Sequence, residues 1–248
     1  MVRSGYRVKG STTSESKLDI LGEKGIKPFC ITLKEGKIEG DFEGFIKNCD
    51  ILVLNIPPKL RSTAHTDYLK NLSTIHSLVK ERVKRIILIS TTSVYRDTPS
   101  NIICTENNRY LDTNEKAKIL SEAEDIFFKA KAGENVVLRL GGLIGEDRHP
   151  AKFVSGKELS NPSAPVNLIH REDCIGAIKC VIESNCGNEI FNVVYPSHPL
   201  KSEYYLRSCK NFGLPPPFIN DSLVSKGKIV SSEEIQRVLN FKFIQPIG

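Results

Sequence analysis

Hydroxyl side chains follow an apolar run in "RIILISTTSVYRD", residues 85–97. Residues 86–89 have the composition of a short buried strand, and Ser90, Thr91 and Tyr95 come directly at its end or after it. A surface turn would use Gly, Pro, Asn or Asp instead. Ligands of open α/β sheets bind beyond the carboxyl ends of the strands, so a hydroxyl there can donate to a substrate oxygen. The alternative is that these hydroxyls satisfy backbone groups at the end of the strand.

This strand belongs to an alternation of strands and helices over residues 1–145. Short apolar runs predict strands at residues 6–9, 28–32, 49–56, 85–90 and 136–140. Apolar residues at helical spacing predict a helix at residues 67–80, and a second helix to about residue 132 opens at the capping-box pair Asp112 and Glu115. Such alternation predicts parallel β-α-β units and a Rossmann-like doubly wound parallel sheet of the α/β class.

The elements after residue 145 are shorter and richer in Pro and Gly. Three helices and one strand are predicted there: helix 172–184, strand 189–194, helix 202–212, and a last helix opened by Ser231 and Glu234. No low-complexity linker separates the two parts of the chain. We therefore expect a single domain over residues 1–248, with a Rossmann-like part at 1–145 and a small, mainly substrate-binding lobe at 146–248.

Composition narrows the class of protein. The 248 residues are 40% apolar and 26% charged, which is typical of a globular chain with a sizeable core. No apolar run approaches the ~20 residues of a membrane span, and the N-terminus has no signal-peptide core. The seven cysteines form no C-x-x-C pair, so we expect reduced thiols, no metal site and a cytoplasmic location.

The charge pattern bears on partners. The net charge is +6, and the Lys and Arg residues are scattered, with the densest cluster at residues 80–85. No basic patch is interleaved with aromatic residues. We therefore expect a small-molecule substrate, no nucleic-acid or membrane partner, and a monomer or homodimer.

Four blocks resemble the extended short-chain dehydrogenase/reductase superfamily, in the order in which that superfamily has them. They are similar to the atypical, NAD-dependent epimerase/dehydratase-like members, and they cover most of the chain. The blocks are "IILISTTSVYRD" (86–97), "VVLRLGGLIGEDRHP" (136–150), "VNLIHREDCIGAI" (166–178) and "NEIFNVVYPSHP" (188–199).

The resemblance implies roles for individual residues. Thr91 matches the catalytic Ser/Thr and also touches the cofactor, whereas Tyr95 matches a residue of the substrate pocket wall. Lys118 matches the catalytic lysine that holds the ribose hydroxyls of the cofactor, although a solvated helix lysine is the alternative. The resemblance also implies cofactor contacts for Asn55, Pro57 and Leu143, although Pro57 and Pro58 can equally be a simple end to the strand. Arg148 and His149 follow "GGLIG", where they can face an anionic substrate or be solvated loop residues.

The segment "NEKAKILSE" (114–122), which aligns with the catalytic helix of the superfamily, departs from the superfamily pattern. Its Y-x-x-x-K motif places a tyrosine four residues before the lysine, and "NEKAKILSE" has Asn114 at that position before Lys118. An amide cannot exchange the proton that accompanies hydride transfer. Tyr110 lies eight residues before Lys118, or roughly 12 Å along a continuous helix, so it is a poor substitute.

The start of the chain also departs from the pattern. A dinucleotide fold needs a first strand and a G-x-G-x-x-G turn that opens a helix, and this sequence has no such motif. "GYRVKGSTTSESKL" (5–18) resembles the second strand and its loop, so the first strand is missing. A start upstream of Met1 and a truncated copy both fit, and either leaves a gap beside "CDILVLNI" (49–56).

The loop at residues 11–17 bears on the choice of cofactor. It offers the hydroxyls of Ser11, Thr12 and Thr13 with Lys17 nearby, where an NAD-binding site would place an acid for the ribose. Hydroxyls and a cation suit a 2′-phosphate, so we expect NADP rather than NAD, with weak or no binding by the chain as given. A plain polar turn is the alternative.

Two functions from different classes follow. The first is an NADP-dependent oxidoreductase or epimerase acting on a small carbonyl or a substrate resembling a sugar nucleotide, which Thr91 and Lys118 favour. The second is a non-catalytic or degenerate NAD(P)-binding sensor or partner protein, which Asn114 favours. The sequence leaves open whether the protein is an enzyme.

Overall fold

The computed structural model describes residues 1–58, 65–107, 114–128, 134–146, 148–220 and 225–247. The strands are β1 (Lys9–Thr12), β2 (Lys27–Cys30), β3 (Thr32–Lys34), β4 (Lys37–Glu39), β5 (Ile51–Leu54), β6 (Arg85–Thr91), β7 (Ile103–Cys104), β8 (Val136–Leu140), β9 (Gly142–Ile144), β10 (Leu168–His170), β11 (Glu189–Val193) and β12 (Ile229–Val230). The α-helices are α1 (Leu18–Glu23), α2 (Phe42–Ile46), α3 (His65–Val79), α4 (Glu115–Phe128), α5 (Ala151–Val154), α6 (Arg171–Glu183), α7 (Lys201–Asn211) and α8 (Glu233–Leu239).

Four strands form the main sheet, in the order β11-β8-β6-β5. β5 and β6 are parallel, with Ile51 opposite Arg85 and Leu54 opposite Leu88. Ile86, Ile87 and Leu88 of β6 are at most 2% exposed, as expected for a parallel strand whose two faces are covered. The predicted Rossmann-like α/β fold with a parallel sheet is confirmed.

The chain divides into two compact units. The first comprises Met1–Leu88, Glu122–Val136 and Cys186–Asn188, and the second comprises Ile89–Ser121, Val137–Asn185 and Glu189–Gly248. Fully buried side chains of the first unit include Leu72, Val79 and Phe127. Those of the second unit include Leu138, Phe191, Tyr204 and Ile235.

A separate two-stranded parallel sheet is formed within the first unit by β1 and β2. Lys9 lies opposite Lys27, and Thr12 lies opposite Cys30. In the described part of the chain β1 does not pair with β5, so each strand is an edge of its own sheet. The gap that the sequence predicted beside "CDILVLNI" is therefore present in the strand pairing.

The Lys9 side chain is anchored next to this gap. Its ammonium donates to the carbonyl oxygens of Gly44 at 2.8 Å and Lys47 at 2.5 Å. These carbonyls are at the carboxyl end of α2, where a cation interacts favourably with the helix dipole. The first strand of this unit is thus tied to α2 through a side chain.

Two predicted element starts differ from the structure, and a third lies outside the described residues. β1 begins at Lys9 rather than residue 6, because a short 3-10 helix at Val2–Ser4 ends in a left-handed Gly5 (φ 82°) and delays the extended chain. The capping box predicted at Ser231 is wrong, since Ser232 is the N-cap of α8 and the Ser231 hydroxyl accepts from Glu233 N–H. Asp112 lies outside the described residues.

Hydrogen exchange tests the gap beside β5. Only every second residue of a parallel strand bonds to a given neighbour, so an edge strand leaves half of its N–H groups to solvent. We expect lower amide protection in residues 51–54 than in residues 86–89, which lie in an inner strand of the main sheet. Equally strong protection of both segments would contradict an open edge at β5.

Candidate functional site

Thr91 lies at the carboxyl end of β6 and is half-buried. It is the N-cap of a short 3-10 helix, Thr92–Val94, and its Oγ1 accepts a hydrogen bond from Ser93 N–H at 3.3 Å. Ser93 Oγ is 3.2 Å away, and either hydroxyl can be the donor of that contact. The oxygen of Thr91 is therefore held by the backbone, and its proton is available to a bound molecule when Ser93 is the donor of that contact.

Asn114 directly precedes α4, and its structural role is clear. Its Oδ1 accepts from Ala117 N–H at 2.9 Å, which is the bond that an N-cap side chain makes to the third residue of a helix. Its carbonyl oxygen accepts from Lys118 N–H at 3.1 Å. Replacing an Asn cap by a residue that cannot cap costs about 0.5–2 kcal/mol. The departure from the superfamily tyrosine thus has a local structural reason.

Lys118 lies in the first turn of α4, and its side chain is exposed. In the described part of the chain no hydrogen bond joins Lys118 to Thr91. Lys118 is therefore exposed but not hydrogen-bonded to Thr91. The two side chains would interact only through a bound ligand that contacts both.

The predicted cofactor residues at the start of the chain belong to the first unit. Ser11 and Thr13 are exposed, at and after the end of β1, whereas the Thr12 hydroxyl accepts from Ser14 N–H at 3.2 Å. Asn55 and Pro57 are exposed after β5. Each group follows the carboxyl end of a strand, which is the edge where α/β sheets bind ligands.

Leu143 and Arg148 are exposed residues of the second unit. Leu143 is in β9, opposite Ile169 of β10, and is 39% exposed. Arg148 is exposed and closes a tight turn with Gly145 through two backbone hydrogen bonds, at 3.0 and 3.2 Å. Both side chains are therefore accessible to a ligand.

His149 is held by its own neighbours. Its ring lies 4.3 Å from that of Phe212, centroid to centroid, and its Nδ1 accepts from Ala151 N–H at 3.3 Å. Burial lowers the pKa of His149, and the Lys152 charge lowers it further. The imidazole is consequently neutral at neutral pH, which suits packing better than the binding of an anionic substrate.

Tyr95 does not line an accessible pocket surface, since it is 1% exposed. Its hydroxyl donates to Asn192 Oδ1 at 2.9 Å or to the Thr105 carbonyl oxygen at 3.2 Å, and it accepts from Arg139 Nη1 at 2.6 Å. Burial raises the pKa of Tyr95 to about 12, against the opposing effects of Arg139 and Asn192. This buried network fixes the loop that follows Thr91.

The network continues through residues that sequence reasoning did not identify. Glu106 Oε1 accepts from Asn192 N–H at 2.7 Å, and Asn192 Nδ2 donates to the Ser231 carbonyl oxygen at 3.0 Å. Burial raises the pKa of Glu106, and the Asn192 N–H opposes that shift. Glu106 and Asn192 are 86 positions apart, so no spacing signal could have joined them.

Two residues of the "VNLIHRED" segment, His170 and Asp173, have structural roles. His170 is the N-cap of α6, and its Nδ1 accepts from Glu172 N–H at 3.2 Å. The buried carboxylate of Asp173 accepts from the backbone N–H groups of Ile244 and Gln245 at 3.0 and 3.1 Å. Asp173 thus ties the last residues of the chain to α6.

No described helix is both long enough and apolar enough to cross a membrane. No group of three or more His, Cys, Asp or Glu side chains among the described residues could hold a metal ion.

Comparison with known proteins gives the relationship. No model of a protein family matches the sequence. Protein YeeZ of Escherichia coli (strain K12) is 30% identical over 245 residues, which are 98% of this chain and 89% of that protein. The chain belongs to the YeeZ family.

Solved structures show the fold of this YeeZ-family protein. A short-chain dehydrogenase/reductase superfamily protein from Agrobacterium tumefaciens with bound NAD has a TM-score of 0.74 at 14% identity, over 99% of this chain and 88% of that one. The human epimerase family protein SDR39U1 with NADPH has a TM-score of 0.69 at 15% identity, over 97% and 96% of the two chains. The fold is therefore that of the short-chain dehydrogenase/reductase superfamily.

Removal of the Tyr95 hydroxyl tests the buried network. Tyr95→Phe takes one acceptor from Arg139 and one donor from Asn192, so we expect a loss of about 1–3 kcal/mol in the free energy of unfolding. Tyr195→Phe is the matched control, because its half-buried hydroxyl has no hydrogen bond within the described residues; we expect a change below ~0.5 kcal/mol. Chemical denaturation measures both, and equal small effects would contradict the network.

Proposed function

We propose that this YeeZ-family protein is an NAD(P)-binding, epimerase/dehydratase-like protein with oxidoreductase or epimerase activity on a small carbonyl or a substrate resembling a sugar nucleotide. The observation that carries the proposal is Thr91, a hydroxyl fixed through its oxygen at the carboxyl end of a buried parallel strand. Such a hydroxyl can donate to a substrate oxygen without first being reoriented. The fold relatives with NAD and NADPH support the nucleotide.

The residues present fit the ribose groups and the nicotinamide of a nicotinamide dinucleotide better than its pyrophosphate. The exposed hydroxyls of Ser11 and Thr13, with the exposed Lys17, suit a ribose 2′-phosphate, which favours NADP over NAD. Lys118 and Leu143 are accessible for the ribose and the nicotinamide.

The pyrophosphate is not fitted by this chain. It needs a glycine-rich turn whose N–H groups open a helix. The segment after β1 instead has a 3-10 turn, Glu15–Lys17, that runs directly into α1; it contains no glycine-rich turn, and the Ser14 N–H already bonds to Thr12. This segment therefore supplies no cradle for the pyrophosphate.

The proposed roles of the remaining residues follow from their placement. Thr91 donates to the substrate oxygen, and Arg148 is accessible for an anionic group of the substrate. Tyr95 and His149 are left out of the proposed substrate contacts, because the first is buried and the ring of the second packs against Phe212. Asn114 cannot supply the proton that carbonyl reduction requires.

A second function rests on Asn114. Its side chain caps α4 where the superfamily has its phenol, so the chain has exchanged a proton donor for helix stability. This favours a non-catalytic NAD(P)-binding sensor or partner protein. The two proposals differ in whether a phenol restored at this position creates turnover.

Single-turnover oxidation of NADPH, with a panel of aldehydes, ketones and sugar nucleotides, tests the Thr91 site. We expect slow reduction by the natural chain and a rise toward ~10²-fold in Asn114→Tyr, since a nearby Lys118 would lower the pKa of the new phenol. Asn114→Ala is the matched control, because it removes the same cap without adding a phenol.

The Thr91 variants complete this test. In the Asn114→Tyr background, Thr91→Val should abolish the gain and Thr91→Ser should keep it, since only the latter retains a donor. Turnover that Thr91→Val leaves unchanged would place the active site elsewhere. Absence of turnover in every variant, with NADPH still bound, would support the non-catalytic function.

A further inference from the structure

A cavity of about 210 Å³ lies within the second unit. Its walls come from the segment before β10, the start of α7 and the segment before β12. The polar side chains that line it are those of Asp97, Asn167, Lys201, Tyr205, Lys226 and Lys228. None of the residues proposed above to bind cofactor or substrate is among its lining residues, so the cavity has to be explained separately.

The lining carries more positive than negative charge. Three lysines face one carboxylate, that of Asp97, which leaves two positive charges without a counter-charge among the lining residues. Like charges around a low-dielectric cleft repel one another and attract anions from solution.

Lys228 and Asp97 form the fixed part of the lining. Lys228 Nζ is 3.1 Å from Asp97 Oδ1, and it donates to the Tyr95 carbonyl oxygen at 2.7 Å. The Lys228 side chain is only 13% exposed. The single carboxylate of the cavity is therefore already engaged with one of the three lysines.

Lys201 is the cation without a partner. It is the first residue of α7 and is half-buried, and in the described part of the chain its ammonium has no hydrogen-bond acceptor and no carboxylate within ion-pair distance. A cation at the amino end of a helix also opposes the helix dipole. Burial lowers the pKa of Lys201, Asp97 opposes that shift, and Lys228 adds to it. An anion in the cavity would give Lys201 a partner and would offset the unfavourable effects of burial, the helix dipole and the Lys228 charge.

We propose that this cavity binds the phosphate group of a small phosphomonoester, with the ammonium groups of Lys201 and Lys226 as its ligands. A phosphate carries about −1.5 to −2 charges at neutral pH, which matches the two uncompensated lysines. Lysine binds phosphate as a point charge, and no arginine, whose planar fork pairs with both phosphates and carboxylates, lines the cavity. Tyr205, half-buried in the lining, supplies a neutral donor.

Calorimetric titration of the whole chain, without nucleotide, tests this site with inorganic phosphate, glycerol phosphate and succinate. We expect glycerol phosphate to bind more tightly than inorganic phosphate, and succinate to bind more weakly than either. Lys201→Gln should weaken glycerol phosphate binding by about tenfold or more, as the loss of one charge-assisted hydrogen bond implies. Lys210→Gln is the matched control, because Lys210 is an exposed lysine of the same helix outside the cavity, and we expect no change.

A second measurement uses the natural chain and needs no variant. Reductive methylation of the natural chain, read residue by residue by mass spectrometry, should be slowed at Lys201 by glycerol phosphate and left unchanged at Lys210. The proposal is overturned if glycerol phosphate does not bind, if succinate binds equally well, if Lys201→Gln binds like Lys210→Gln, or if methylation of Lys201 is not protected. The Lys201→Gln and methylation readouts distinguish this cavity from the proposed NAD(P) site, because Lys201 lines the cavity and is not among the residues proposed to bind NAD(P).

Discussion

The parallel pairing of β5 with β6 is the interaction on which the rest of this structure depends. It sets the apolar residues of β6 inside the main sheet and brings Ser90 and Thr91 out at its carboxyl end. It also makes β5 an edge of that sheet. Unpaired backbone groups cost ~1–3 kcal/mol each when they are buried, so the free side of β5 requires water or another strand.

The gap and the candidate site are consequences of one arrangement. β1 pairs with β2 and not with β5, so the usual place for a pyrophosphate turn is absent between these strands in the described residues. Ser11 is exposed in β1, Thr91 ends β6 and Lys118 is exposed in α4, and the nucleotide contacts proposed for these residues rest on these placements.

Much of the fold was predictable because the spacing of apolar residues reflects which face of each helix or strand is buried. Strand β8 has the predicted bounds, and α3, α6 and α7 begin or end within about two residues of their predicted limits, as local assignments usually do. Caps were less predictable, since Asn114 and Ser232 took the cap positions by local geometry rather than by motif spacing. The resemblance suggested Thr91, but sequence could not show that Ser93 N–H fixes its oxygen.

Other features were beyond sequence reasoning because they join distant parts of the chain. Tyr95 and Asn192 are 97 positions apart, and only the folded second unit brings them into one buried network. The lysine cavity likewise combines Asp97, Lys201 and Lys228, whose sequence neighbours give no motif. Burial and ring packing were also invisible in the sequence: Tyr95 is 1% exposed, and the ring of His149 packs against Phe212.

The central claim is that this chain has the fold of the short-chain dehydrogenase/reductase superfamily and a nucleotide site without a pyrophosphate cradle. Calorimetric titration of the 248-residue chain with NADPH tests this claim most directly. We expect a dissociation constant in the high micromolar range or weaker, with 2′,5′-ADP bound about as well as NADPH because the phosphate-bearing ribose supplies most of the contacts. A submicromolar constant for NADPH, with 2′,5′-ADP bound far more weakly, would show that the chain does hold the pyrophosphate and would contradict the claim.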